Sequence, residues 1–281
     1  MSFRYVSNNG DVIEFGGDSP YYADADAFRE YEVDYSMVRN TVTRFTNDPA
    51  KVTFPITISA KTQEEGADLL DRLQQAFDHD VRANKAGRVE IDDYYTHAFV
   101  TTFGLSCDDS FGLWEVEVET KVLVPDPVWI LERKKEFKTA RDDDAAGGLN
   151  YPHNYPFNFY SGVTVDSIDN DLSWPCAVKI IVYGAASNPY IYIGDNRYEV
   201  DVEVPEGGLL IIDGLDKSQI ELRDQYGNSQ NVFNRRISGT QGSGTYIFEP
   251  IKSGVNPVTW DGSFNFDVIL CGERSWAPCT I

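Results

Sequence analysis

A chain of 281 residues with 42% hydrophobic and 25% charged side chains can fill one large or two ordinary domains and bury a core, which excludes a disordered polymer. Its 24 basic against 45 acidic residues, a formal net charge of −21, exclude a protein that grips nucleic acid through phosphates, although DNA can slide past a like-charged wall. The imbalance is uneven, with 24 acidic and 11 basic residues in 1–130 and 21 and 13 in 131–281.

The opening Met1-Ser2-Phe3-Arg4-Tyr5 lacks an apolar signal region, and no run approaches the roughly 18 apolar residues of a membrane span. Synthesis in a cytoplasm without a membrane anchor is therefore expected. Residues 3–15 read as a hairpin turning through Asn8-Asn9-Gly10. Tyr31, Val33, Tyr35 and Met37 alternate, as do Val52, Phe54, Ile56 and Ile58, with a turn at Asn47-Asp48-Pro49 between them.

One helix is predicted over about 62–86. Thr62-Gln63-Glu64-Glu65 forms a capping box, Leu69, Leu70, Leu73, Phe77 and Val81 follow at helical spacing as a core face, and Gly87 supplies the stop. Strands are predicted at about 88–92, 94–105 and 112–124. The last alternates strictly: Trp114, Val116, Val118, Thr120, Val122 and Val124 share one face, while Glu115, Glu117, Glu119 and Lys121 share the other. Pro125 and Pro127 then end the ladder, because proline has no N–H to donate.

Residues 131–141 are charged and read as a strand or an arm. Asp142-Asp143-Asp144-Ala145-Ala146-Gly147-Gly148 reads as a flexible joint, because consecutive aspartates rarely converge on one metal ion. The domains are accordingly placed at 1–141 and 150–281, with a linker at 142–149. In the second domain β-type runs at 174–183, 190–193, 198–204, 209–212, 220–222, 245–249 and 264–270, separated by turns that include 205–208, 226–228 and 255–257, indicate a sandwich without a helix.

Catalytic and metal signals are weak. His79, His97 and His153 have no ligand spacing; His79 sits between two aspartates on a solvated face, and His97 reads as outward on a strand. Cys107, Cys176, Cys271 and Cys279 show no CxxC spacing and read as plain thiols, with a Cys271–Cys279 bridge left open. The glycine-rich 239–244 loop has neither the lysine nor the following helix of a phosphate loop and reads as mobile. Neighbouring glutamates of 115, 117 and 119 stand about 6.5–7 Å apart along a strand, within the span of glycosidase carboxylates, yet all three face one way and cannot flank a substrate. The rings of 151–160 offer sugar-stacking faces or an extended segment pinned across a sandwich. No catalytic, cofactor-binding or metal residues are assigned.

Several stretches, taken in order, carry a family resemblance: Asn150-Tyr151-Pro152-His153-Asn154-Tyr155-Pro156-Phe157; the run from Tyr198-Glu199-Val200 through Pro205-Glu206-Gly207-Gly208 to Asp213-Gly214; Ile220-Glu221-Leu222 with Asp224-Gln225-Tyr226-Gly227-Asn228; Phe248-Glu249-Pro250-Ile251-Lys252-Ser253-Gly254-Val255-Asn256-Pro257; and 264–270 with Glu273-Arg274-Ser275. In these the second half resembles the distal tail proteins (Dit) of long-tailed, non-contractile bacteriophages. The first half, with its hairpin, helix and paired strands ending at Pro125-Asp126-Pro127-Val128-Trp129, is similar to the same family's amino-terminal domain.

The resemblance implies a mainly β fold: a split-barrel-like first domain with one α-helix that closes into a hexameric ring, and a galectin-like β-sandwich outside it. It further implies a virion tail-tip location, contacts with the tail tube protein, a tail-tip or tail-associated protein and receptor-binding proteins, DNA passing through without specific binding, and neither catalysis nor a cofactor. Glu115, Glu117 and Glu119 are then candidates for a channel-lining acidic face, with an outer solvated face as the alternative. Asn234-Arg235-Arg236 only faintly matches a galectin sugar motif, since the preceding histidine is absent. Two other readings remain at this point: a host-glycan-binding tail or surface protein, and an acidic glycosidase.

Overall fold

The computed structural model describes residues 2–30, 32–108, 114–139 and 164–277. The chain forms two units, Met1–Leu131 with Glu273–Ile281, and Glu132–Gly272. The segment 142–149 expected as a linker lies outside the described residues, as do the aromatic run 151–160, His153 and Cys279.

In the first unit β1 (Phe3–Val6) and β2 (Val12–Glu14) form the expected hairpin, with Tyr5 opposite Ile13. Strands β3 (Tyr21–Ala23), β4 (Asp34–Val38), β5 (Thr41–Thr46) and β6 (Ala50–Ala60) follow. Helix α1 (Gln63–Ala83) leads to β7 (Gly87–Ile91), β8 (Tyr94–Asp108), β9 (Trp114–Val124) and the first residues of β10 (Trp129–Phe137). The fifteen-residue β8 serves two sheets. Residues 94–98 pair with β7, and Tyr94 and Tyr95 also with β10; from Phe99 onward the strand pairs with β9, with a register shift between Val100 and Thr102 near the start of that ladder. A bulge of this kind increases the local twist and re-aims the strand. Strand β9 continues the second sheet through all eleven residues of β6 to the short β3.

The capping box forms one residue wider than expected. The Glu65 N–H donates to the Thr62 hydroxyl at 3.2 Å, but the Glu65 carboxylate accepts from the Lys61 N–H at 2.9 Å. Asn84, in the left-handed region at φ 50°, ends the helix in place of Gly87. Gly87 is instead a strand residue pressed against the buried centre of the unit. Leu73 and Phe77 are buried as expected, whereas Val81 is 48% exposed and Asp80 takes the buried position of the last turn. Phe3, Phe15, Phe28 and Phe54 meet edge-on or tilted in the core, with ring centroids 4.9–6.2 Å apart.

In the second unit one sheet runs β19 (Ser229–Asn231), β18 (Ile220–Arg223), β17 (Leu209–Asp213), β12 (Ala177–Tyr183) and β21 (Phe266–Arg274). The other runs β11 (Thr164–Asn170), β20 (Gly254–Trp260), β14 (Tyr190–Ile193) and β15 (Asn196–Glu199), and β13 (Ala186–Ser187) pairs β16 (Glu203–Val204). Ile180, Leu210 and Phe266 from the first sheet share one core with Ile191, Val258 and Trp260 from the second, so the unit is a two-sheet sandwich. The mainly β class with one α-helix among the described residues thus matches the sequence expectation.

Two predicted features of this unit change. Residues 245–249 form turns, held by the Glu249 N–H donating to the Tyr246 carbonyl at 3.1 Å. Residues 255–257, read as a turn, lie inside β20 and pair with β11. Pro257 falls just beyond Val258, the last residue of β20 that pairs with β14, so its missing N–H ends a ladder instead of breaking one. Cys176 and Cys271 are buried, and Cys271 is a free thiol whose pKa burial pushes up.

Each unit also buries a tyrosine hydroxyl. Tyr5 donates to Asp80 at 2.5 Å and Tyr198 to the Glu249 carbonyl at 2.6 Å. Burial is the main cause that raises both pKa values above the ordinary 10.0; for Tyr5 the Asp80 hydrogen bond adds to it. Above pH 10.0 an unfolded tyrosine gives up its proton while these keep theirs, so the unfolded state binds fewer protons and stability falls as pH rises. The expected slope is about 1.4 kcal/mol per pH unit for each of the two tyrosines. Denaturant midpoints measured across the alkaline range read it directly. Tyr5→Phe and Tyr198→Phe variants, compared with the parent chain, should each show a shallower decline.

Candidate functional site

The register of β9 places its three glutamates on one exposed surface. Each occupies an exposed position, and Val116, Val118, Thr120 and Val122 between and beyond them are 0–1% exposed. Thr120 satisfies its buried hydroxyl by donating to the Phe54 carbonyl of β6. Gly112 and the side chains of Cys107 and Trp114 lie outside the described residues. On β6 the glutamates face small neighbours: Ser59 opposite Glu115, Thr57 opposite Glu117 and Pro55 opposite Glu119. On the other side Gly104 lies opposite Glu119. None of the three makes an ion pair among the described residues. Lys121, opposite Thr53, is the nearest base along the strand.

Three carboxylates without an ion pair on one exposed sheet face repel polyanions and hold no substrate between two walls. A glycosidase pair needs carboxyl groups on either side of a sugar, and these three project together.

The other sequence candidates do not converge. His79 is exposed and has its Nδ1 3.7 Å from Asp80; His97 is exposed with its ring edge-on to Tyr95. No group of three or more potential metal-ligating side chains occurs among the described residues. Arg236 lies 3.7 Å over the Phe233 ring and donates to its carbonyl, so that motif is engaged in local packing. The 239–244 loop is tied down, its Gly242 N–H donating to Glu249 at 2.9 Å. No helix among the described residues is long and apolar enough to cross a membrane.

Three features escaped the sequence reading. The first is the Asp80 carboxylate. It is fully buried and accepts hydrogen bonds from the hydroxyls of Tyr5 and Ser7 and from the backbone and side-chain amides of Asn8, at 2.5–2.9 Å. An isolated aspartate in a helix of mixed polarity gives no signal of this, since its partners are more than 70 residues away. The second is the tyrosine pair Tyr190 and Tyr192 on β14, where Arg197 of β15 lies 4.8 Å and 5.6 Å over the two rings. The guanidinium occupies the ring faces that a sugar would use. The third is a groove of about 620 Å³ in the first unit, lined by Glu30, Glu32, Asp34, Asp48 and Lys51 with Phe28 and Trp129 at its apolar side.

No protein-family model matches the chain, and no curated protein sequence matches it. Solved structures do. A chain of the phage P2 baseplate in its activated conformation with Ca aligns with TM-score 0.58 at 8% identity, over 99% of this chain and 100% of that one. The same baseplate with Sr gives TM-score 0.57 at 9% identity, over 99% and 100%. SPP1 Dit (gp 19.1), described as a paradigm of the hub adsorption apparatus in phages infecting Gram-positive hosts, aligns over 98% and 100% at 8% identity with TM-score 0.49. At such identities the likeness to the P2 baseplate chain is one of fold, and it extends over almost the whole chain.

Proposed function

We propose that this chain is a structural subunit of a phage or prophage tail tip, a baseplate hub protein that builds a hexameric ring between the tail tube and the tip. The observation that carries the reading is the fold shared, nearly end to end, with a chain of the phage P2 baseplate. The family resemblance of the sequence points the same way. Within the ring the β9 face with Glu115, Glu117 and Glu119 lines the channel, and DNA crosses it without adhering because like charges repel. The ring-forming domain, read from the sequence as 1–141, corresponds to the unit Met1–Leu131 with Glu273–Ile281, and the outward domain, read as 150–281 after a 142–149 joint, to Glu132–Gly272. The outer domain carries the attachment surface for receptor-binding proteins, and the ring contacts the tail tube protein above and a tail-associated protein below. The reading assigns the chain no catalytic role.

Two measurements test it. Mass spectrometry of purified particles, with labelled-antibody microscopy, should find the chain at the tail tip in six copies per particle or a multiple of six, six being the proposed ring. Purified virions that lack it end the proposal. Verified turnover of a small molecule by the isolated chain would refute its non-catalytic part.

A further inference from the structure

The hairpin of β4 and β5 contributes nothing to either core. Every residue from Asp34 to Phe45 is exposed, including Tyr35 at 62%, Met37 at 51%, Val38 at 61% and Phe45 at 68%. Its apolar side chains oppose one another across the strands, Tyr35 with Phe45 and Met37 with Val42. Such pairs stabilise a sheet only modestly, and a lone two-stranded hairpin is marginal in water. An arm of this composition without cover is a docking element.

The same unit has an open sheet edge. Strand β6 pairs with β9 along all eleven residues, but on its other side β3 covers only Ile56, Thr57 and Ile58. The 50–54 stretch is left with its outward backbone groups outside any strand pairing among the described residues. Ala50, Lys51, Val52 and Thr53 form one wall of the 620 Å³ groove. An unpaired edge in the wall of a groove accepts an added strand.

Charge identifies the strand that fits. Residues 35–46 contain Arg39 and Arg44 and no acid, within a chain of net charge −21. Neither arginine makes an ion pair among the described residues. The groove presents Glu30, Glu32, Asp34 and Asp48 against the one base Lys51. Asp34 is also the root of the hairpin, where it pairs with Thr46. The turn at Arg39 and Asn40, both at positive φ, therefore stands about 17 Å along the strands from its own groove. Arg39 reaches such a groove only on another copy.

We infer that the 34–46 hairpin of one copy adds to the open 50–54 edge of β6 in the next copy, with Arg39 and Arg44 set against Glu30, Glu32 and Asp48. The inference rests on the ring reading above and gives it a joint. Arm and groove are different surfaces, so the contact is head-to-tail, the kind that generates a ring when its rotation closes and an open filament when it does not.

The test uses the full chain in sedimentation and light scattering over a concentration series. An arm variant carries Arg39→Asp with Arg44→Glu, aspartate being tolerated at the positive φ of position 39. A groove variant carries Glu30→Lys with Glu32→Lys. Each should lose association at least tenfold, and the chain carrying all four changes should regain it. Mixing the two variants should also restore association, since the native arm of one meets the native groove of the other and the charge-reversed arm meets the charge-reversed groove. Hydrogen exchange should show residues 34–46 and 50–54 gaining protection together as the wild-type chain assembles. The inference is overturned if the wild-type chain stays monomeric at every concentration, if the arm variant assembles like wild type, if the fourfold variant fails to recover, or if assembly leaves both segments unprotected. Those outcomes concern the joint alone; presence of the chain in virions tests the functional reading separately.

Discussion

Replacing Asp80 by alanine is expected to destabilise the first unit by about 2–6 kcal/mol, counting roughly 1–3 kcal/mol for each of two buried hydroxyls left without an acceptor. The carboxylate is fully buried at the end of α1 and binds Tyr5 at 2.5 Å and Ser7 and the Asn8 amide at 2.6 Å. Those partners belong to β1 and to the turn after it, so one side chain joins the amino-terminal hairpin to the helix. The denaturant midpoint should fall with little change in slope, because the same surface is exposed on unfolding.

Gly87→Ala should produce a comparable loss by the opposite route. A methyl group there would sit 2.5 Å from the Tyr5 hydroxyl oxygen and 2.7 Å from its ring carbon, and closer still to the Asp80 carboxylate. Nothing in that arrangement can shift without breaking the network. Combining the two changes should cost less than their sum, since both dismantle one set of bonds. Full additivity would show that Gly87 acts elsewhere.

The sequence reveals the parts of this fold that local chemistry specifies. The alternation of β9, the Thr62 cap, the Asn9-Gly10 turn and the Pro125 stop each rest on a few adjacent residues, and each forms where expected. What it conceals depends on long-range partners. Val81 fits the apolar spacing as well as any residue of α1, yet the last turn buries Asp80, because a cluster of donors from the first eight residues outweighs one aliphatic contact. Strand β5 is hidden for another reason: the two apolar residues of Thr41–Thr46, Val42 and Phe45, stand three positions apart, so no alternation of polarity marks it. Pro257 conceals strand β20, because it reads as a breaker until the ladder beside it is known to end there. At the candidate site the three glutamates are legible as one exposed row, but one strand cannot say what that row faces.

That last question has a sharp test. Converting Glu115, Glu117 and Glu119 together to lysine should leave the fold intact, because all three side chains are exposed and outside any ion pair among the described residues. It should change how the assembled particle handles DNA. A channel wall that repels phosphates would become one that binds them, with affinity falling at a log–log salt slope of about −0.9 for each phosphate engaged. Particles carrying the variant are expected to assemble in normal number. Their infectivity should drop on the order of tenfold or more at low salt, through slowed DNA release, and should recover in part as salt screens the new contacts. Glu→Gln at the same positions removes the repulsion without creating attraction and should have a much smaller effect. If the lysine variant binds DNA on its outer surface yet ejects its genome at the wild-type rate, the glutamate row faces away from the channel, and passage of DNA owes nothing to it.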